Sequence, residues 1–187
     1  MSLRILIPTL LLTFTLMATL IGYGVIRADL TEDIEQQSLR YMNIELSKLQ
    51  SLIEPLLAKK DARAIKSLTA FKASELDNKA MLIVNEKNII VASTNQQELL
   101  NYWQSSKLKI NPDFVDKTIS TTRSYTKIST DKKLLDGYIN LCVRDLSKGL
   151  RSFSCGFLYY QIDLDYRQKQ ARIWLTKQSL YIALGSG

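Results

Sequence analysis

The sequence predicts an α+β fold in which an N-terminal transmembrane helix continues into a long helix. That helix packs on a five-stranded antiparallel sheet, and an exit helix follows the sheet. Three observations carry this prediction: an uncharged apolar run opens the chain, a helical repeat of apolar residues follows it, and β-branched runs separated by polar turns fill the second half. The 187 residues suffice for one such domain beside a membrane segment.

The apolar run covers residues 3–26, and no charged residue lies between Arg4 and Arg27. At a rise of about 1.5 Å per residue, a helix of this length crosses a hydrocarbon core of about 30 Å. The alternative is a cleaved signal peptide, whose apolar region spans about 7–15 residues and ends in a small-x-small site. The run is longer, and the sequence before Arg27 is a poor cleavage context. We therefore expect residues 1–27 to form an uncleaved transmembrane helix.

The charges on either side of this run predict its orientation. Arg4 and the free amino terminus precede it, whereas four acids crowd behind it: Asp29, Glu32, Asp33 and Glu35. The positive-inside rule then favours a cytoplasmic N-terminus. Residues 28–171 would form a single domain on the other side of the membrane.

The composition excludes several classes of function. The net charge is +7, but Lys and Arg are scattered singly among Asp and Glu, so we expect no nucleic-acid partner. The chain has no histidine and only two cysteines, which removes zinc sites built on those residues and the Ser-His-Asp triad. We expect no catalytic residue, no metal and no cofactor. Paired acids such as Asp163 and Asp165 are better explained by a solvated strand end.

The long helix carries an apolar stripe at intervals of three and four residues: Leu39, Met42, Leu46, Leu49, Ile53 and Leu56. The stripe can pack against the domain's own sheet or pair with the same helix of a second subunit. It is shorter than the three to four heptads typical of a coiled coil, so packing on the sheet is favoured and a homodimer through Leu39–Leu56 is the alternative.

A proline and an aspartate mark where this helix is expected to end and the next helix to begin. Pro55 lacks an amide hydrogen, so we expect a kink or restart there. Asp61 is suited to cap a second helix over residues 62–74. The inner face of that helix should carry Ile65, Leu68 and Phe71.

The spacing of apolar residues changes from a helical to a strand pattern at Ala80. AMLIVNEKNIIVAST reads as two apolar runs around the polar turn Asn85–Asn88, which is typical of a hairpin. A loop with a short helix and a break at Pro112 should follow over residues 96–116. Further strands are expected near residues 123–129 and 135–144.

The last hairpin predicts a disulfide. A two-residue turn at Lys148-Gly149 sets a register in which Cys142 lies opposite Cys155, at a non-hydrogen-bonded pair where side chains come closest. A disulfide fits there and would require an oxidising compartment. Two buried thiols that face each other are the alternative.

The same register sorts the sheet into two faces. The apolar face, where we expect the long helix, carries Ile139, Leu141, Val143, Leu158, Tyr160 and Ile162. The opposite face carries Tyr138, Asn140, Arg144, Phe157 and Tyr159. Its mixture of rings and polar groups is typical of a small-molecule pocket and also of a half-exposed sheet. The candidate ligand-binding residues are Arg123, Tyr125, Tyr138, Asn140 and Tyr159, with Arg123 as the anion contact because guanidinium binds carboxylate bidentately.

The C-terminal residues return to a helical pattern. The segment RQKQARIWLTKQSLYIALGSG is rich in cations and becomes apolar from Ser179, with Trp174 and Tyr181 suited to a membrane interface. We expect residues 172–187 to begin a second transmembrane helix that is too short here to span, because the chain is a fragment of a longer protein. A tail that docks on the surface is the alternative.

These features together resemble a known arrangement. The anchor, the long helix, the hairpin LIVNEKNIIVASTN and the strand GFLYYQIDLD running into an exit helix resemble the extracytoplasmic PAS-like or single Cache sensors of bacterial two-pass receptors. Such receptors include sensor histidine kinases, diguanylate cyclases and chemoreceptors. SLIEPLLAKKD, the hairpin and YYQIDLDYRQKQ are most similar to BarA/GacS-type hybrid sensor kinases. The turn Asn85–Asn88 lacks the Asp and Gly usual in this family, so no ligand residue is carried over.

The resemblance implies a non-catalytic sensor domain in the periplasm, held by the bacterial inner membrane. A small molecule or a periplasmic protein would bind the open face of the sheet and shift the packing of the anchor helices. The conformational signal would pass inward to a cytoplasmic output such as a histidine kinase. The alternative is a bitopic inner-membrane adaptor that scaffolds an envelope complex through its helix stripe.

Overall fold

The computed structural model describes residues 3–121, 123–144, 152–171 and 173–174. Its helices are α1 (Leu3–Ala58), α2 (Ala62–Ala73), α3 (Pro112–Thr121) and α4 (residues 164–171), with short 3₁₀ turns at Gln96–Glu98 and Trp103–Ser105. Its strands are β1 (Asn78–Val84), β2 (Ile90–Ser93), β3 (Tyr125–Ile128), β4 (Leu134–Arg144) and β5 (Phe153–Asp163).

All five strands form one antiparallel sheet in the order β2-β1-β5-β4-β3. This confirms the α+β class and the five-stranded antiparallel sheet. The register between β4 and β5 places Cys142 opposite Cys155, as predicted from the turn. The turn residues Lys148 and Gly149 lie outside the described residues.

The chain divides into two compact units, residues 1–37 and residues 38–187. In the part of the chain that the structure describes, no helix has both the length and the apolarity that crossing a membrane requires. The transmembrane helix at residues 1–27 therefore stays a prediction. Most of the predicted second crossing at residues 172–187 lies outside the described residues.

The α1 stripe packs on the sheet of its own domain. Four stripe residues are at most 1% exposed: Met42, Leu46, Leu49 and Ile53. They form one core with the predicted apolar face, including Ile139, Leu141, Leu158, Tyr160 and Ile162. Because this stripe is buried within the chain, a homodimer through Leu39–Leu56 would have to displace the sheet.

Two details of the helices differ from the sequence expectation. The α1 helix continues through Pro55 and ends at Ala58, so it does not restart at the proline. Asp61 caps α2 as expected, because its carboxylate accepts a hydrogen bond from the Ala64 amide at 3.0 Å. The predicted inner face was wrong at Phe71, whose side chain is 63% exposed, while Lys72 is buried instead. Lys72 turns inward because two carboxylates pair with it there.

The β1–β2 hairpin forms around the predicted turn. The Asn85 side chain accepts hydrogen bonds from the Lys87 and Ile89 amides at 2.9 and 3.0 Å, and Asn88 adopts a φ of 62°. Asparagine tolerates this left-handed conformation, so the turn forms without glycine. Pro112 does not break the later segment. It begins α3, where its missing amide hydrogen costs nothing.

Candidate functional site

The aromatic face of the sheet is covered. Trp103 from a 3₁₀ turn and Val115 from α3 join Tyr138, Phe157 and Tyr159 in a second core. Trp103 is held there by its indole nitrogen, which donates to the Asn88 side chain at 3.2 Å, and its ring meets Phe157 edge-on at 5.6 Å. The open face expected from the sequence is therefore a filled interior.

Three of the predicted binding residues cluster around one ring of α3. Phe114 stacks on Tyr138 at 5.7 Å and lies 6.2 Å from Tyr125, and Tyr138 lies 5.2 Å from Tyr159. The Tyr138 hydroxyl accepts a hydrogen bond from the Asn111 amide at 3.3 Å. Burial raises the pKa of Tyr138 to about 12, so its hydroxyl stays neutral at physiological pH.

A polar group lies at the margin of this core. The Tyr159 hydroxyl donates to Asp136 at 2.9 Å, and the Gln161 side chain donates to the same carboxylate at 2.8 Å. Burial, and then the Asp136 charge, raise the pKa of Tyr159. The carboxylate of Asp136 is thus already satisfied by two donors from β5.

The other two predicted binding residues lie apart from this cluster. Arg123 is exposed, and within the described residues no hydrogen bond or ion pair joins it to the rings. Asn140 is buried beside α1, where its carbonyl oxygen accepts a hydrogen bond from Gln50 at 3.0 Å. The five residues therefore do not form a single cavity.

Asn140 belongs to a contact at the edge of β4 that sequence reasoning missed. β3 pairs with β4 only as far as Tyr138, and beyond it side chains of α1 take over. Gln50 donates to the Asn140 carbonyl, and Glu54 accepts from the Cys142 amide at 2.9 Å. The spacing of Gln50 and Glu54 places both on one side of the helix, which is the only signal the sequence offered.

The cysteine pair lies at this same edge. Cys142 and Cys155 form a disulfide with an S–S distance of 2.08 Å and a Cα–Cα distance of 4.1 Å. The short Cα separation matches the close spacing of a non-hydrogen-bonded antiparallel pair, about 4.5 Å. The Asn140 amide nitrogen lies 3.1 Å from the Cys142 sulfur.

A buried ion cluster joins α1 to the end of α2. The Lys72 ammonium pairs with Glu45 and, at 2.6 Å, with Glu75, and the Tyr160 hydroxyl donates to Glu75 at 3.1 Å. Burial alone would lower the pKa of Lys72, but its hydrogen bonds to Glu45 and Glu75 more than offset this and raise it. The cluster was not predicted, because nothing local marks a helical lysine as buried.

A second charged contact joins the helix after β5 to α1. The Arg167 guanidinium of α4 donates through Nε to Asp77 at 2.7 Å, and its carbon lies 3.8 Å from the centre of the Tyr41 ring. Such a cation–π contact adds to the charge-assisted hydrogen bond. We call this arrangement of Tyr41, Asp77 and Arg167 the α1–α4 clamp.

A groove lies at the end of the sheet away from the α1–α4 clamp. It has a volume of about 560 Å³ and is bounded by the end of α1, the start of α2, the ends of β1 and β4 and the start of β5. Its apolar lining includes Leu57, Ile65, Leu141 and Val143, and its charged lining consists of Lys60, Glu86 and Arg144. We call this recess the α1–α2 groove.

No cluster of three or more acidic or cysteine side chains that could hold a metal lies in the described part of the chain. A comparison of the sequence with protein-family models found no match, and neither did a comparison with curated proteins.

Proposed function

We propose that this chain is the extracytoplasmic ligand-sensing input region of a bacterial transmembrane receptor. It is non-catalytic and passes a conformational signal across the inner membrane to a cytoplasmic output such as a histidine kinase. The observation that carries the proposal is the α1–α4 clamp, which links the helix that enters the domain to the helix that leaves it.

The clamp suits transmission because a small displacement of α4 would break it. Sliding α4 along α1 would separate Arg167 from both the Asp77 carboxylate and the Tyr41 ring at once. A contact made of a charged hydrogen bond and a cation–π pair is directional, so it opens in a step. A ligand that binds more tightly when the clamp is closed, or when it is open, would shift the populations of these two states. That shift is the signal.

Three further features support the receptor interpretation. The uncharged run at residues 5–26 has the length of a transmembrane helix. The five-stranded antiparallel sheet with a long N-terminal helix on one face is the architecture expected for a PAS-like or single Cache domain. A disulfide between Cys142 and Cys155 fits a periplasmic location, because such bonds persist in oxidising compartments.

Topology is tested by cysteine labelling in intact cells. Lys87→Cys places a thiol on the exposed β1–β2 turn, and a membrane-impermeant maleimide should label it without lysis. Ser2→Cys, on the predicted cytoplasmic side, is the matched control and should react only after lysis. Labelling of Lys87→Cys only after lysis would refute the receptor proposal.

Signalling is tested by fusing residues 1–187 to the cytoplasmic half of a histidine kinase with a transcriptional reporter. Arg167→Ala removes the clamp and should change the basal output. Lys169→Ala removes an exposed ion pair of the same helix, with Asp165 at 2.8 Å, and should leave the output unchanged. Equal outputs from the two variants would show that the clamp carries no signal.

A further inference from the structure

The turn between α1 and α2 holds a lysine where glycine is the favoured residue. Lys60 has a φ of 54°, its amide donates to the Leu57 carbonyl at 3.0 Å, and the Asp61 amide donates to the Leu56 carbonyl at 2.9 Å. This pair of hydrogen bonds is a Schellman motif, whose left-handed position is usually occupied by glycine because side chains are strained there. A lysine at this left-handed position therefore lowers the stability of the fold relative to glycine.

Lys60 lines the α1–α2 groove. Within the described residues it forms no ion pair, so its ammonium has no carboxylate to neutralise it. Non-glycine residues in strained conformations concentrate at ligand clamps and other functional sites. A strained cation at the mouth of an apolar recess therefore points to a bound anion.

The rest of the groove lining indicates the chemical character of the remainder of the ligand. Leu57, Ile65, Leu141 and Val143 form apolar walls, and the volume of about 560 Å³ lies within the range of about 300–1,000 Å³ of small-molecule sites. Arg144 adds a second cation and Glu86 a single carboxylate, so the charged lining has a net positive charge.

We propose that the α1–α2 groove binds a small amphipathic anion, with its apolar body against Leu57, Leu141 and Val143 and its charged group at Lys60. The inference rests on the proposed function in that a sensor requires a ligand. It places that ligand on the α1 side of the sheet rather than between Tyr138 and Tyr159, which are already enclosed. The groove contacts the last turn of α1, so an occupant would act directly on that helix.

The proposal is tested by ligand-observed NMR on the full chain in nanodiscs of zwitterionic lipid, which supplies no anionic head group. Hexanoate is the probe, hexanamide has the same body without the charge, and acetate has the charge without the body. Empty nanodiscs correct for partitioning. We expect hexanoate to bind about fivefold more tightly than hexanamide, the value of one partly exposed ion pair, and acetate to bind more weakly than either.

Two glycine variants separate the charge from the fold. Lys60→Gly should abolish the preference for hexanoate while raising Tm by about 2 °C, because glycine relieves the left-handed strain. Lys132→Gly is the matched control, since Lys132 also has a φ of 54° but lies in the β3–β4 turn. It should retain the preference. Val143→Asp places a charge on the groove wall and should weaken hexanoate and hexanamide together.

Equal binding of hexanoate and hexanamide, binding no stronger than to empty nanodiscs, or a preference that survives Lys60→Gly would overturn the proposal. Because binding is measured without a signalling readout, such a failure leaves the receptor proposal to its own topology and reporter tests.

Discussion

Two glycines on the sheet are required by close packing and not by an unusual backbone conformation. A Cβ on Gly156 would lie 2.0 Å from the Val84 carbonyl oxygen, at the residue where the pairing of β1 with β2 shifts register. A Cβ on Gly137 would instead meet the Met42 sulfur at 2.7 Å and the Leu46 side chain at 3.0 Å. At Gly156 the added Cβ would meet backbone atoms, which cannot easily move. At Gly137 it would meet flexible side chains, which can change rotamer.

This difference predicts the outcome of two substitutions with the same chemistry. Gly156→Ala should lower the free energy of unfolding by about 3 kcal/mol or more, because the β1 backbone must move. Gly137→Ala should cost only about 1 kcal/mol, because Met42 can change rotamer. Urea unfolding of the two variants measures both values. An equal cost at the two positions would show that the sheet yields as easily as a methionine side chain.

At the scale of elements, α1 packs on the sheet in two ways. Its apolar stripe covers one face, while Gln50 and Glu54 satisfy the backbone of β4 at the edge that β3 leaves unpaired. Unpaired strand edges invite pairing with other chains, and native proteins cover them. The helix therefore both closes the core and protects an edge.

Removing the edge contact should destabilise the domain. Glu54→Ala leaves the Cys142 amide without an acceptor, and an unsatisfied partly buried donor costs about 1–3 kcal/mol. Glu54→Gln keeps an acceptor oxygen and should cost less. Ser51→Ala, on the exposed side of the same helical turn, is the control and should change the free energy of unfolding by less than about 0.5 kcal/mol. Chemical denaturation compares the three variants, and a Glu54→Ala variant as stable as Ser51→Ala would contradict the assignment.

The clamp makes a separate prediction about α4. Arg167→Ala removes the contacts with Asp77 and Tyr41, so the amides of residues 164–171 should exchange with solvent about tenfold faster. Arg167→Lys keeps the charge but loses the planar guanidinium, and it should give an intermediate rate. Hydrogen-exchange mass spectrometry of the full chain reads both, with Lys169→Ala as the control. Unchanged exchange in Arg167→Ala would mean that β5 alone holds α4.

At the scale of the whole molecule, three buried tyrosines and one buried lysine favour their protonated forms. Burial raises the pKa of Tyr138 to about 12 and raises those of Tyr159 and Tyr160 as well, and ion pairing raises that of Lys72. Above about pH 10 the unfolded chain releases these protons while the folded chain retains them. Their contribution to stability is therefore complete below that pH and decreases as the pH rises.

We expect the free energy of unfolding to fall steadily between about pH 9 and pH 11. Tyr138 alone should account for about 1.4 kcal/mol of the loss at pH 11, from its shift of about two pKa units. Tyr138→Phe should reduce the loss by that amount, whereas Tyr102→Phe, at an exposed ring, should not. Urea titrations across this range give the measurement. A flat profile would show that these tyrosines ionise without unfolding the domain.

For the predicted binding residues, the sequence indicated the face of the sheet on which they lie but not what covers that face. Alternation along β4 and β5 correctly placed Tyr138 and Tyr159 on the face opposite the apolar one, because side-chain direction in a strand has a period of two. Alternation says nothing about what covers a face. That depended on Trp103 and α3, which come from a segment with no clear periodicity of its own.

The sequence by itself determined the α+β class, the β1–β2 hairpin, the Asp61 cap and the pairing of Cys142 with Cys155. These follow from turn chemistry and periodicity over short stretches, where neighbours along the chain are also neighbours in space. Only the tertiary structure decided the burial of Lys72, the edge contact of Glu54, the α1–α4 clamp and the groove beside Lys60. Each of these joins segments far apart in sequence, and no local pattern encodes which distant side chain will lie opposite.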